Sequence, residues 1–234
     1  MIAVNIMDGD IAKYEAIIKK RPEELDDLFD RLTINVTEFF RDVAVWEYLA
    51  ANVFEPLLSR AGEPVRIWSA GCAGGEEPYT IAIIILELLR LIRKKPEVKI
   101  IASDVDPVSL ARAKTARYPE ASIAKVSEHR TKVYFSKKDG YVQVSPAVTS
   151  MVQFVEHSYL TPLMGRHVDF ISCRNSLIYL TKEAKAEALR NFHAALVPGG
   201  IFVLGASEVL IGENNQGLFE TLSGQSSIFK KIGA

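Results

Sequence analysis

Residues 65–79, with the sequence VRIWSAGCAGGEEPY, constrain this chain most, because they join a buried strand to a glycine-rich turn and a long apolar helix. Val65, Ile67 and Trp68 have the apolar and β-branched character of a buried strand. The glycines of the turn permit positive φ angles and let the backbone approach a ligand closely. This order predicts a cofactor pocket at the start of a helix that spans roughly residues 77–93.

Two adjacent carboxylates, Glu76 and Glu77, stand at the start of this helix. A helix N-terminus usually attracts phosphate, but these glutamates repel a pyrophosphate, and the spacing GCAGG differs from the G-x-G-x-x-G pattern of dinucleotide folds. S-adenosylmethionine fits this polarity better, because it carries sulfonium and ammonium charges and no phosphate. The alternative is that the glutamates only complement the helix dipole.

The composition is that of one globular domain with a small appendage. The chain has 234 residues, of which 48% are hydrophobic and 24% charged, and its formal net charge is −1. Because no basic run dominates, nucleic acid is not an expected partner. The local cluster Arg90, Arg93, Lys94 and Lys95 is interpreted as the cations of a helix's last turn, which Pro96 ends.

Cysteine usage and hydropathy indicate the compartment. Cys72 and Cys173 are too few for a disulfide scaffold and fit a reducing cytoplasm. The N-terminus lacks the basic and apolar regions of a signal peptide. The longest apolar run, from Ile81, is broken by Glu87, so no membrane insertion is expected. We therefore expect a cytoplasmic protein.

Hydrophobic periodicity changes at the glycine turn. Three helices are predicted before it, over residues 11–20, 23–32 and 42–60. Strands and helices then alternate, with Asp106 and Thr181 as the predicted N-caps of two helices. The predicted elements are strands at 98–102, 151–155, 168–172 and 201–204, a helix begun by Pro107, and a helix at 182–196 that Pro198-Gly199-Gly200 ends. This alternation predicts an α/β fold with a mostly parallel sheet.

One segment interrupts the alternation, at about residues 119–150. Residues 133–135 and 141–144 flank the turn signal Lys138-Asp139-Gly140, as in a β-hairpin. Because an isolated hairpin is marginal in water, we expect it either to pack on the main domain or to serve a partner.

Polar residues follow each predicted strand, where the ligands of parallel α/β sheets bind. Asp104 is placed to accept hydrogen bonds from ribose hydroxyls. The alternative role is helix capping, but Asp106 already serves as the N-cap before Pro107.

Five motifs in order resemble the CheR family of chemotaxis methyltransferases. They are NVTEFFRD at 35–42, RIWSAGCAGGEEPYTIAI at 66–83, ASDVD at 102–106, CRNSLIYL at 173–180 and PGGIFVLGASE at 198–208. The resemblance implies a class I S-adenosylmethionine-dependent methyltransferase fold, with a mainly parallel seven-stranded sheet, a preceding helical region and a three-stranded β-subdomain. Residues 1–60 would be the helical region and linker, short for the family, and 61–234 the methyltransferase domain.

The resemblance also implies an activity and a site. The activity is methyl transfer from S-adenosylmethionine to glutamate side chains of chemoreceptors, which gives glutamate γ-methyl esters and S-adenosylhomocysteine. The implied catalytic residues are Arg41 and Tyr179, although Tyr179 could instead pack through its ring. The implied cofactor-binding residues are Asn35, Thr37, Arg41, Gly71, Glu76, Asp104, Ser158, Tyr159, Asn175 and Ser176.

We expect neither a metal nor a catalytic base. The four histidines lack metal-type spacing, and a glutamate substrate is already ionised at neutral pH, so alignment and exclusion of water should supply most of the rate. Thr37 could also cap a helix, and Phe39-Phe40 are expected in the core.

Several positions depart from the family pattern. Gly74 stands where Ser or Thr is usual, Ser176 where an apolar residue is usual, and Ser158-Tyr159 where Asn-Leu is usual. The expected partner is the methylation helices of chemoreceptor cytoplasmic domains. Because the predicted hairpin is compact, binding of a receptor C-terminal pentapeptide is expected to be absent.

Three alternative functions stay open on the sequence. One is a regulatory module that binds S-adenosylmethionine or S-adenosylhomocysteine with little catalysis, and another is a methyltransferase for a different substrate. A nicotinamide-dependent oxidoreductase is disfavoured by Glu76-Glu77. Cys72 and Cys173 are either two buried thiols or a redox-sensitive pair beside the cofactor.

Overall fold

Ten strands organise the molecule, in a computed structural model that describes residues 37–60, 63–163, 167–208, 210, 217–222 and 227–233. They are β1 Val65–Ala70, β2 Val98–Asp104, β3 Arg117–Pro119, β4 Phe135–Lys138, β5 Tyr141–Val144, β6 Val152–Glu156, β7 Val168–Cys173, β8 Leu196–Leu204, β9 Phe219–Thr221 and β10 Ile228–Lys231. Seven form one sheet in the order β6-β2-β1-β7-β8-β10-β9. The first five in this order pair in parallel, and β10 pairs antiparallel with both β8 and β9.

This sheet confirms the predicted fold class. The order places β1 in the interior with β2 and β7 as its neighbours, so the glycine turn after β1 lies at the centre of the carboxyl edge. Every residue of β7 is buried, and so is every residue of β1 except Arg66. A sheet covered on both faces explains why these strands read as continuous apolar runs.

Helices cover the sheet, and outside residues 119–150 their bounds are close to those predicted. They are α1 Val43–Leu49, α2 Glu55–Leu58, α3 Glu76–Leu89, α4 Pro107–Thr115, α5 Glu128–Tyr134, α6 Pro146–Thr149 and α7 Lys182–Ala195, with a π-helical turn Ala50–Phe54 between α1 and α2. Both predicted N-caps are confirmed. The Asp106 carboxylate accepts from the N–H groups of Val108 and Ser109, and Thr181 Oγ1 accepts from Ala184 N–H.

The end of α3 corrects one interpretation. The helix ends at Leu89, four residues before the predicted end, and its last turn contains no basic residue. The chain leaves the α-helical pattern through i→i−3 bonds, since Leu91 N–H donates to Leu88 O at 2.9 Å. Arg93, Lys94 and Lys95 therefore lie beyond the helix, and their reading as cations of its last turn was wrong.

A second, three-stranded sheet has the order β3-β5-β4. The predicted turn is confirmed: Asp139 and Gly140 both have positive φ (52° and 75°) and connect the paired residues Lys138 and Tyr141. The strand predicted at 133–135 was wrong at its start. Val133 belongs to α5, because Ser127 Oγ accepts from the N–H three residues ahead and starts a helix there.

The small sheet packs on the main domain. The Phe39 ring meets the rings of Tyr118 and Phe135 edge-on, with centroids 5.0 Å apart in each pair. Phe39 and Phe40 are 0% and 1% exposed, which confirms that this aromatic pair belongs to the core. The helices predicted at 11–20 and 23–32, and Asn35, lie outside the described residues. Among the helices described, none combines the length and hydropathy that crossing a bilayer requires.

Candidate functional site

The turn after β1 is held close to its neighbours. Gly71, Ala73 and Gly75 all have positive φ, at 70°, 44° and 91°. The Gly71 N–H donates to Ser103 O, at the end of β2, over 2.8 Å. A Cβ on Gly71 would lie 2.7 Å from Ser176 Oγ, which is closer than carbon and oxygen approach without displacement. Both the φ angle and the close neighbour favour glycine at this position.

Asp104 shapes this turn from the end of β2. Its Oδ2 accepts from Ala73 N–H at 2.8 Å, and its Oδ1 accepts from Asp106 N–H at 3.0 Å. Asp106 caps the helix, as predicted, and Asp104 has a structural role of its own in holding this turn. A carboxylate offers about four acceptor positions, so two remain for a ligand.

Glu76 places a buried carboxyl group at the start of α3. The residue is 4% exposed, and its Oε2 has no hydrogen-bond partner within the described part of the chain. Burial raises the pKa of Glu76 to about 7, against the opposing effects of backbone hydrogen bonding, the Arg112 charge and a hydrogen bond with Thr37. The structure thus brings Thr37 to Glu76. A buried carboxyl oxygen without a partner is costly, and a ligand cation or hydrogen-bond donor would satisfy it.

The loop after β7 is fixed by Glu208, which sequence reasoning had not assigned to the site. Glu208 Oε2 accepts from Asn175 N–H at 2.6 Å and from Gly205 N–H at 2.8 Å. Asn175 has a φ angle of 59°, and a Cβ added to Gly205 would lie 2.6 Å from Asn175 Nδ2. The signal in the sequence was the motif PGGIFVLGASE, whose last residue is this glutamate.

Two of the departures from the family pattern contact each other. The Tyr159 hydroxyl lies 2.8 Å from Ser176 Oγ. Ser158 is used differently: its Oγ accepts from Leu160 N–H and its carbonyl oxygen accepts from Thr161 N–H and Oγ1, so it organises its own turn.

Arg41 lies between two residues in the left-handed region. Phe40 has φ 56° and Asp42 has φ 59°. The buried Phe40 also donates its N–H to Thr80 Oγ1 on α3, at 3.1 Å. With left-handed residues on both sides of Arg41, the Phe40 ring packs in the core while Arg41 stays only partly buried.

Tyr179 lies in the 3-10 turn Leu177–Tyr179 and is 54% exposed. The Tyr179 ring is therefore not packed in the core. Among the described residues, no side-chain hydrogen bond connects Tyr179 to the other predicted site residues.

Two further charged residues beside the site were not assigned from the sequence. Glu77 Oε1 accepts from Ser69 Oγ at 2.8 Å, and burial raises the pKa of Glu77 against the effect of Arg174. Arg174 is almost completely buried. For the described residues, no group of three or more His, Cys, Asp or Glu side chains could hold a metal ion.

Comparison with known proteins gives the family. The model of the family described as "CheR methyltransferase, SAM binding domain" matches residues 35–228. The chain is 33% identical over 201 residues to the chemotaxis protein methyltransferase of Listeria monocytogenes, covering 86% of this chain and 75% of that protein. It is 37% identical over 188 residues to chemotaxis protein methyltransferase 1 of Pseudomonas aeruginosa, covering 77% and 68%.

Two further similarities concern a longer relative and a solved structure. An uncharacterised 104.1 kDa protein of Rhodobacter capsulatus is 32% identical over 95% of this chain, which spans 23% of that longer protein. Among solved structures, an S-adenosylmethionine-bound amino pentose methyltransferase from Micromonospora echinaspora is 19% identical, with a TM-score of 0.40, over 68% of this chain and 50% of that one. The family match and the 33–37% identities decide the assignment. This chain belongs to the CheR methyltransferase family.

Proposed function

We propose that the protein transfers the methyl group of S-adenosylmethionine to glutamate side chains of chemoreceptors. The products are glutamate γ-methyl esters and S-adenosylhomocysteine. The observation that carries the proposal is the Glu76 carboxylate, which is 4% exposed and has an oxygen without a hydrogen-bond partner among the described residues. This oxygen fits a ligand cation and disfavours a ligand phosphate.

The residues around the turn fit the rest of the cofactor. Glu76 would bind the ammonium group, and Arg41 the carboxylate of the methionine part. Asp104 keeps two acceptor positions for the ribose hydroxyls. The loops after β6 and β7 would border the adenine, through Ser158, Tyr159, Asn175 and Ser176, and Thr37 would contribute from beside Glu76. Asn35 is kept as a proposed cofactor residue from the family resemblance alone, since it lies outside the described residues.

The chemistry needs alignment more than proton transfer. S-adenosylmethionine supplies a methyl group on a positively charged sulfur, which an ionised carboxylate displaces directly. A carboxylate oxygen forms the bond to the methyl carbon while the carbon–sulfur bond breaks, and no proton moves. Arg41 and Tyr179 would border the transferred methyl and orient the incoming glutamate, because their loops flank the carboxyl edge of the sheet.

The proposed partners are the methylation helices of chemoreceptor cytoplasmic domains. The chemotaxis methyltransferases of Listeria and Pseudomonas support this choice by their names and by 33% and 37% identity. We also propose that a receptor C-terminal pentapeptide does not bind. Saturable binding of such a peptide in a calorimetric titration would overturn this second statement.

Methylation with radioactive S-adenosylmethionine tests the function. A purified receptor cytoplasmic fragment should acquire label that mild base releases as methanol, because esters of this kind hydrolyse readily. Tight binding of S-adenosylhomocysteine without any base-labile label would identify a regulatory binding module instead. Label that resists base would indicate a methyltransferase for another chemical group.

A matched pair of variants tests the carrying observation. Glu76→Gln removes the buried charge and should weaken S-adenosylhomocysteine binding at least tenfold, by about 1.4 kcal/mol or more. Glu97→Gln is the control, because the Glu97 side chain is 60% exposed and pairs with Lys99 on the surface. Equal affinities of the two variants would reject Glu76 as the ammonium contact.

A further inference from the structure

Arg174 connects two segments that carry proposed cofactor residues. It follows the last residue of β7 and directly precedes Asn175. Its side chain is 3% exposed, and it reaches back to the segment around Arg41, 133 positions earlier in the chain. A buried guanidinium needs several partners, so its contacts show what it holds in place.

The guanidinium of Arg174 has contacts on three sides. Its Nη2 donates to Asp42 Oδ2 at 2.6 Å and to Arg41 O at 3.2 Å. Its Nη1 lies 3.7 Å from Glu77 Oε2. The plane covers the Trp46 ring, with the guanidinium carbon 5.0 Å from the ring centroid. The first two contacts belong to the segment before α1, and the third belongs to α3, beside the cofactor pocket.

These contacts stabilise an unfavourable backbone. Phe40 and Asp42 have φ angles of 56° and 59°, a region that non-glycine residues adopt only when the surroundings impose it. Asp42 occupies the N-cap of α1 but makes no side-chain capping bond, because its carboxylate pairs with Arg174 instead. The Arg41 carbonyl also accepts from Trp46 Nε1, at 2.8 Å. Arg174 thus fixes both sides of the peptide unit after Arg41.

We propose that Arg174 is a positioning residue for cofactor binding, which acts by fixing the backbone from which the Arg41 side chain projects. The inference rests on the proposed function, because it requires Arg41 to contact the cofactor. A lysine cannot replace Arg174, since one ammonium group cannot serve Asp42, Arg41 O and Glu77 in the geometry of a planar fork. The immediate target of Arg174 is the conformation of the linker, and the ligand is affected through Arg41.

A double-mutant cycle on S-adenosylhomocysteine affinity, measured by calorimetry, tests the coupling. Arg174→Met should weaken binding about tenfold, and Arg41→Ala alone should do the same. When Arg41→Ala is already present, adding Arg174→Met should change the affinity less than about twofold, because the side chain that Arg174 positions is gone. Equal factors in the two backgrounds would overturn the inference, and so would an unchanged affinity of Arg41→Ala.

Milder variants keep the test valid if Arg174→Met fails to fold. Asp42→Asn retains the contact of Arg174 with Glu77 and should weaken binding about threefold, again only when Arg41 is present. Arg174→Lys should not restore wild-type affinity. If either variant behaved the same with and without Arg41, the positioning role would be rejected.

A matched control is available in Arg130. This arginine also covers a ring of the linker, at 4.4 Å from the Phe40 centroid, and it pairs with Glu87, but it makes no bond to the Arg41 backbone. Arg130→Met should lower stability and leave S-adenosylhomocysteine affinity within about twofold. An equal loss of affinity in both arginine variants would assign the effect to general destabilisation. Failure of the wild type to bind S-adenosylhomocysteine would instead reject the proposed function.

Discussion

The Tyr159 hydroxyl lies 2.8 Å from Ser176 Oγ, so the loops after β6 and β7 are joined although β2 and β1 separate their strands in the sheet. The contact passes beside Gly71, where an added Cβ would lie 2.7 Å from Ser176 Oγ and 3.4 Å from Tyr159 Cε1. Burial raises the pKa of Tyr159 to about 12, so its hydroxyl stays protonated at neutral pH. Because two hydroxyl groups share one hydrogen bond, one O–H remains available to a ligand.

Either the Tyr159 or the Ser176 hydroxyl can be removed to break this bond, so removing both should cost little more stability than removing one. Tyr159→Phe and Ser176→Ala should each lower the free energy of unfolding, and the double variant should lose less than the sum, with a coupling of about 0.5–1.5 kcal/mol. Urea unfolding of the four proteins measures this coupling. Tyr141→Phe is the control, since the Tyr141 side chain is 42% exposed and its loss should stay within about 0.5 kcal/mol. Strict additivity would show that the hydroxyl contact contributes nothing.

The stability of the ligand-free protein should fall as the pH rises from the ordinary pKa of a glutamate towards the raised pKa of Glu76. Burial raises this pKa from 4.5 to about 7. Between these values the folded state holds a proton that the unfolded chain has lost, so the slope of stability against pH is negative. The favourable contribution is complete below pH 4.5 and is lost through about pH 7, by roughly 3 kcal/mol.

The measurement is the difference between wild type and Glu76→Gln. Urea unfolding across roughly pH 4 to 8 should show a wild-type stability that falls relative to that of the variant. S-adenosylhomocysteine binding should release a proton near pH 6.5, about half a unit below the pKa, because its ammonium favours the ionised carboxylate. Parallel curves, or equal proton release by the two proteins, would contradict the assignment.

The architecture was predictable because its signals are local. Asp106 before Pro107, and Asp139-Gly140 between two apolar runs, specify a cap and a turn through neighbours along the chain. The end of α3 was predicted wrongly because the helix ends through backbone i→i−3 hydrogen bonds, for which the sequence contains no side-chain signal. Helix and strand order therefore followed from periodicity and turn chemistry, and precise ends did not.

The connections within the site were not predictable in the same way. The sequence proposed Asp104 from its place after a strand and Arg41 from a motif, but each has a partner in a distant segment. Asp104 accepts from Ala73 N–H, 31 positions away, and the Arg41 carbonyl accepts from Arg174, 133 positions away. Such pairs depend on how β1, β2 and β7 align in the sheet, which periodicity alone leaves open.

Asp104 should contribute to stability even without ligand. Its carboxylate accepts from the N–H groups of Ala73 and Asp106. Asp104→Ala removes both bonds and should lower the free energy of unfolding by about 1–3 kcal/mol. Asp104→Asn keeps one acceptor oxygen and should lose less. If urea unfolding showed Asp104→Ala to be as stable as wild type, these two bonds would have no net effect.

Binding of a ribose by Asp104 is a separate prediction that needs a ligand-based test. Wild type should bind 5′-methylthioadenosine about tenfold more tightly than its 2′-deoxy analogue, and Asp104→Asn should reduce that preference. The comparison uses two ligands on one protein, so any distortion of the turn cancels. An undiminished preference in Asp104→Asn would move the ribose contact to another residue.

The two cysteines should be unreactive in the folded protein. Cys72 and Cys173 are both buried and unpaired, and burial raises the pKa of each thiol far above its usual value. Because the thiolate is the reactive form, a disulfide-exchange reagent should modify native protein at least about 100-fold more slowly than protein in guanidinium. Mild oxidation should leave S-adenosylhomocysteine binding unchanged. Fast native modification, or reversible loss of binding, would favour the redox pair instead.

Alanine substitutions at Gly71 and Gly140 distinguish the cost of a left-handed backbone from the cost of a close neighbour. Their φ angles are 70° and 75°, but a Cβ would lie 2.7 Å from Ser176 Oγ at Gly71 and meets nothing within 4 Å at Gly140. Gly140→Ala should therefore cost only the left-handed backbone, about 1–2 kcal/mol. Gly71→Ala should cost this amount and also displace Ser176, so it should lose more stability and weaken S-adenosylhomocysteine binding.

A second change makes the comparison specific. Ser176→Ala removes the Oγ that a Cβ on Gly71 would meet, leaving the Ser176 Cβ position at 3.2 Å. In that background Gly71→Ala should lose about the same stability as Gly140→Ala, by urea unfolding, since strain is then the main remaining cost. If Gly71→Ala and Gly140→Ala already cost the same in the wild type, the turn after β1 tolerates a side chain, and close approach to Ser176 does not explain its glycine.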